Sequence, residues 1–110
     1  MERNSQPRLP KPYDSLFLSQ AVAEFCQKYH IHRLSLFGSI LRDDFGPESD
    51  VDFLVEFEPG YVPGYIRLAG MELELSVLIG RKADLRTAAE LSLYFRQEVL
   101  DSAVVQYVKN

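Results

Sequence analysis

The chain has a single cysteine, Cys26, among 110 residues. One thiol can form neither an internal disulfide nor a thiolate metal cage, so neither device holds this fold together. There is no excess of positive charge: 12 Lys and Arg stand against 16 Asp and Glu, a net charge of −4. A stand-alone nucleic-acid binder is usually basic, so direct nucleic-acid binding is not expected. No apolar run is long enough to span a bilayer, and the N-terminus carries no apolar signal core. No membrane association is expected, and the cytoplasm is the expected location. Internal repeats and low-complexity segments are also absent. What is present is an ordinary globular balance, 46% hydrophobic and 25% charged. The length corresponds to one domain with a modest core.

Residues 1–13 are polar and carry Pro7, Pro10 and Pro12, which predicts a flexible or extended arm ahead of a domain over 14–110. Asp14 or Ser15 can cap a helix running to about Tyr29, with Leu18, Val22, Phe25, Cys26 and Tyr29 on its core face. A strand is expected at about Arg33–Phe37, then a short helix from Ser39 to about Asp44, broken by Gly46-Pro47. A central strand over Asp50–Phe57 places Val51, Phe53, Val55 and Phe57 inside. Two prolines and two glycines make 58–64 a loop. A helix follows over Tyr65–Ile79, stopped by Gly80. A third strand is expected at Lys82–Arg86. A last helical stretch runs from Thr87 to about Val108, with Leu100, Ala103, Val104 and Tyr107 as its buried stripe.

The chemistry lies in three short pieces. Gly38-Ser39 closes the apolar run Leu34-Ser35-Leu36-Phe37. Ten residues later, Asp50-Val51-Asp52 opens a second apolar run. Side chains alternate along a strand, so Asp50 and Asp52 share one face. Two like charges side by side raise each other's pKa unless a cation sits between them. The hard partner for such oxygens is Mg²⁺ or Mn²⁺, usually shared with a substrate phosphate. A small backbone turn beside that metal suits the approach of phosphates. In Lys82-Ala83-Asp84-Leu85-Arg86, alternation puts Asp84 on the face opposite Ala83 and Leu85. If that strand lies beside the Asp50/Asp52 strand, three carboxylates converge. They could hold two metals, or one metal plus a general base. The pattern points to metal-assisted phosphoryl or nucleotidyl transfer. An EF-hand loop is excluded, because Phe53-Leu54-Val55 stands where that loop needs oxygen ligands and a glycine.

These pieces, Leu36-Phe37-Gly38-Ser39, Asp50-Val51-Asp52-Phe53-Leu54-Val55-Glu56-Phe57 and Leu78-Ile79-Gly80-Arg81-Lys82-Ala83-Asp84-Leu85, resemble the minimal nucleotidyltransferases of the DNA polymerase β superfamily. The resemblance covers nearly all of residues 14–110. It implies an α/β (α+β) polymerase β-like fold, with a small three-stranded mixed sheet backed by helices. It also implies that Gly38 and Ser39 hold the phosphates of ATP, with Arg42 in reach of them. Asp50, Asp52 and Asp84 would bind Mg²⁺ or Mn²⁺, and Asp84 would draw the proton from the acceptor hydroxyl. Such proteins are commonly encoded beside a HEPN-domain toxin and act as its antitoxin, transferring AMP from ATP to a tyrosine of the toxin. Two alternatives stay open: an antitoxin that neutralises by binding alone, and a transferase for a small aminoglycoside-type acceptor. No room is expected here for the domain that larger relatives use to bind an acceptor, so that site is expected to come from another protein or a second copy in a homo-oligomer.

One stretch departs from the family's pattern. Ile40-Leu41-Arg42-Asp43-Asp44 is bulkier and more acidic than the small residues common after Gly-Ser. Arg42 reads equally well as a phosphate ligand or as a surface ion pair. Lys82 and Arg86 read as solvated edge charges ahead of polyphosphate guides. Tyr61 and Tyr65 fit a base-stacking or docking role as well as local packing. His30 and His32, with no carboxylate or cysteine nearby in sequence, read as surface residues rather than a metal site.

Overall fold

A computed structural model describes residues 20–42 and 46–109. The expected arm, the start of the first helix with Leu18, and Asp43 and Asp44 lie outside the described residues. The described elements are α1 (Gln20–Lys28), β1 (Ile31–Phe37), a 3₁₀ turn (Gly38–Leu41), β2 (Val51–Phe57), α2 (Tyr65–Ile79), β3 (Ala83–Arg86), a second 3₁₀ turn (Ala88–Glu90), α3 (Leu93–Ser102) and β4 (Val104–Val108). The strands form one sheet in the order β3-β2-β1-β4. β1 is antiparallel to both β2 and β4, and β2 is parallel to β3. The sheet is mixed, as expected, but it has four strands rather than three.

The fourth strand corrects the expected final helix. α3 stops at Ser102, Ala103 turns extended, and Val104–Val108 pairs with β1. Leu100, Ala103, Val104 and Tyr107 fit a helical stripe, but Val104-Val105-Gln106-Tyr107-Val108 is also β-branched and aromatic. The open edge of β1 decides between them, because its backbone groups need a second partner. Val104 is buried and Tyr107 packs on the core, whereas Leu100 is exposed. The short helix expected over Ser39–Asp44 is likewise only the turn Gly38–Leu41, with Arg42 already extended.

One face of the sheet carries the main core. Val51, Phe53 and Val55 of β2, Leu34 and Leu36 of β1, and Ala83 and Leu85 of β3 join Phe25 and Cys26 of α1 and Leu68, Met71, Leu75 and Ile79 of α2. α2 runs between the boundaries its sequence sets, ending at Gly80 in the left-handed conformation that glycine adopts without penalty. α1 is tied to α2 where Tyr29 Oη donates to Glu74 Oε1 at 2.6 Å and Lys28 pairs with Glu74 Oε2. Leu54, which alternation puts on the opposite face of β2, is also buried, although it was not among the residues expected inside.

Burial pushes the Cys26 thiol up to about 12. A thiolate is the reactive form. Cys26 is therefore expected to resist iodoacetamide at pH 8 in the folded protein and to alkylate once denatured, as intact mass would show.

Candidate active site

The carboxylates are placed by pairing. Asp52 lies opposite Phe37 on β1 and opposite Asp84 on β3. Neighbouring strands are about 4.8 Å apart, so Asp52 and Asp84 stand side by side on one sheet face. Asp50 precedes β2, where the ladder is extended by Val51 N–H donating to the Lys82 carbonyl at 2.9 Å. Burial, then Asp84, then Asp50, raise the pKa of Asp52, while Arg86 and Arg42 pull it back. The three expected carboxylates and two of the named cations thus act on one point.

The Gly38–Leu41 turn closes over Asp52. Gly38 has φ +79°, and a Cβ there would lie 3.2 Å from Asp52 Cγ, with Oδ2 nearer still. Glycine is required twice over, for the backbone conformation and for the carboxylate against it. Ser39 Oγ donates to the Asp50 carbonyl at 3.5 Å, and buried Ile40 anchors the turn. Arg81 Nη2 donates to the carbonyls of Gly46, at 2.7 Å, and Ser49, which holds the chain leading into Asp50. A groove of about 480 Å³ borders the turn, lined by Phe37, Gly38, Leu41, Arg42, Phe95 and Val99 among others.

Lys82 and Arg86 are exposed, as expected, but each is aimed at a carboxylate. Lys82 Nζ is 3.5 Å from Asp50 Oδ2, and Arg86 Nη1 is 3.9 Å from Glu72 Oε2. Among the described residues, no three His, Cys, Asp or Glu side chains already close around one point at ligating distance. The donor set nonetheless suits a hard divalent cation: carboxylate oxygens on adjacent strands whose mutual repulsion such an ion relieves.

Other expected candidates lie apart. Tyr61 follows the C-terminal end of β2, the end away from Asp52, and stacks on His30 with ring centroids 3.8 Å apart. Its ring thus packs locally while remaining half exposed. Tyr65 is exposed at the start of α2, also distant, and His32 is exposed on β1. Glu72 and Ser76 were not singled out by sequence, yet they bond to the backbone on both sides of Asp84. Their only sequence signal is a spacing of four on α2, which is too common to read alone.

A mixed sheet with carboxylates on neighbouring strands and a Gly-Ser turn packed against them is the arrangement expected of a nucleotidyltransferase. Residues 18–106 match the nucleotidyltransferase domain model, and the chain belongs to that family. Protein adenylyltransferase MntA of Thermococcus cleftensis is 30% identical over 74% of this chain and 80% of its own length. A Methanocaldococcus jannaschii protein, the candidate protein adenylyltransferase MJ0435, is 31% identical over 79% of this chain and 91% of its own. The solved structure of a candidate minimal nucleotidyltransferase is 32% identical, with TM-score 0.63, covering 77% of this chain and 85% of that one. The fold is also that of a chain in the solved structure of a tri-AMPylated Shewanella oneidensis HEPN toxin in complex with MNT antitoxin, at 15% identity and TM-score 0.63, covering 88% of this chain and 73% of that one. Among the described residues, no helix is long and apolar enough to cross a membrane.

Proposed function

We propose that this protein is a metal-dependent adenylyltransferase and antitoxin that moves AMP from ATP onto a tyrosine hydroxyl of a HEPN-family toxin. The observation that carries this is the pairing of Asp52 with Asp84 beneath the Gly38 turn. The names of its relatives and of the HEPN–MNT complex support the acceptor class. Gly38 and Ser39 hold the polyphosphate through the turn, and Arg42 neutralises it from the same side. Asp50, Asp52 and Asp84 would hold Mg²⁺ or Mn²⁺, which supplies charge neutralisation on the transferring phosphoryl group. Asp84 takes the proton of the acceptor hydroxyl. The acceptor oxygen bonds to the α-phosphorus, the bond to the bridging oxygen breaks, and pyrophosphate leaves.

The test is intact mass of a HEPN protein encoded beside this one, after incubation with the chain, ATP and Mg²⁺. The expected result is a gain of one or more AMP units, absent with Asp50→Ala/Asp52→Ala. If both versions form a stable complex with no mass gain, the protein neutralises by binding alone. Turnover of a small hydroxylated acceptor without any protein would point to the aminoglycoside-type alternative.

A further inference from the structure

β3 is an edge strand of four residues with β2 on one side only. In a parallel ladder, alternate residues turn their backbone groups toward the partner and away from it. Lys82 accepts from Val51 of β2, so Lys82 and Asp84 face β2, and Ala83 and Leu85 face outward. Outward N–H groups on an edge are normally left to solvent or to another strand. Here both are taken by α2. Ala83 N–H donates to Ser76 Oγ at 2.8 Å, and Leu85 N–H donates to Glu72 Oε2 at 2.7 Å. Ser76 is itself oriented, because its hydroxyl donates to the Glu72 carbonyl at 2.7 Å. One turn of helix therefore grips the residue before Asp84 and the residue after it. Glu72 Oε2 also lies 3.9 Å from Arg86 Nη1, and Arg86 is one of the two cations acting on Asp52.

We propose that Glu72, assisted by Ser76, is a positioning residue for Asp84: it pins the edge strand so that the third carboxylate stays beside Asp52. This rests on the reading of Asp84 as part of the catalytic set. The strand needs such a grip for a physical reason. It has only one hydrogen-bonded neighbour, and a short edge strand opens locally more easily than a central one. A hydrogen bond to a charged acceptor is stronger than a neutral one. A carboxylate on a rigid helix thus holds Leu85 better than water would.

The experiment combines amide exchange with kinetics on the full chain. Glu72→Ala is expected to speed exchange at the Leu85 amide about tenfold while leaving β1 amides unchanged. It should lower kcat for AMP transfer about tenfold, with KM for ATP within about twofold. Glu72→Gln keeps an acceptor oxygen and should restore most of both. Ser76→Ala should show the same pattern at Ala83. Unchanged exchange at Leu85 in Glu72→Ala overturns the grip. Faster exchange with unchanged kcat overturns its link to Asp84. A kcat loss that persists in Glu72→Gln although exchange at Leu85 is slow again assigns the effect to charge on Arg86 and also overturns the proposal. Asp84→Asn separates the two levels. If it transfers AMP normally, the catalytic reading of Asp84 has failed, whatever exchange at Leu85 shows.

Discussion

Asp52→Asn is expected to lower AMP transfer by roughly a thousandfold or more and, at the same time, to raise the melting temperature at pH 7. The loss follows from position: Asp52 is the carboxylate on which burial, Asp84, Asp50, Arg86 and Arg42 all act. The stability gain follows from sign. Its folded-state pKa is raised above the ordinary 3.8, first by burial and then by the two neighbouring aspartates. The folded state therefore binds this proton more readily than the unfolded chain does. Stability falls as pH rises from the unfolded pKa to the folded one, and the penalty persists above it. An amide carries no such penalty. The gain should be present at pH 7 and disappear as pH drops below the ordinary Asp range. Because Asp52 is only half-buried, solvent screening limits it to a few degrees. Thermal melts at pH 7 and pH 3, beside the mass assay, check both halves. A folded Asp52→Asn that still transfers AMP would sink the site assignment. A lower melting temperature at pH 7 would mean that cations already over-compensate the cluster.

Gly38→Ala should produce the second large effect: loss of about 2 kcal/mol of stability and of AMP transfer by roughly a hundredfold. Two costs add at this position. A left-handed φ of +79° strains any L side chain, and the new methyl drives into the Asp52 carboxylate. Gly60 supplies the control. It has φ +86° but open space where a Cβ would go. Gly60→Ala therefore costs only the backbone strain, about 1 kcal/mol, and should leave transfer intact. The difference between the two variants measures contact between the turn and the carboxylate. Equal losses of stability, with transfer retained in both, would show that the turn does not rest on Asp52.

Residue chemistry by itself determined those parts of the molecule whose signals are local. α2 runs from Tyr65 to Ile79 because Pro63-Gly64 and Gly80 punctuate it. Alternation assigned Val51, Phe53 and Val55 to the core and Asp52 to the opposite face, because strand periodicity depends only on the chain itself. The Gly-Ser turn and the paired aspartates carried the chemistry for the same reason. Convergence of Asp84 on Asp52 was an expectation until the parallel register joined them, since pairing is a contest between distant segments. That contest also turned 104–108 from helix into strand: the same residues satisfy either period, and only the open edge of β1 favours one. Glu72 and Ser76 gained their role in the same way. Nothing in their own neighbourhood marks them, and only the docking of α2 along the edge of β3 gave their oxygens two outward N–H groups to accept from.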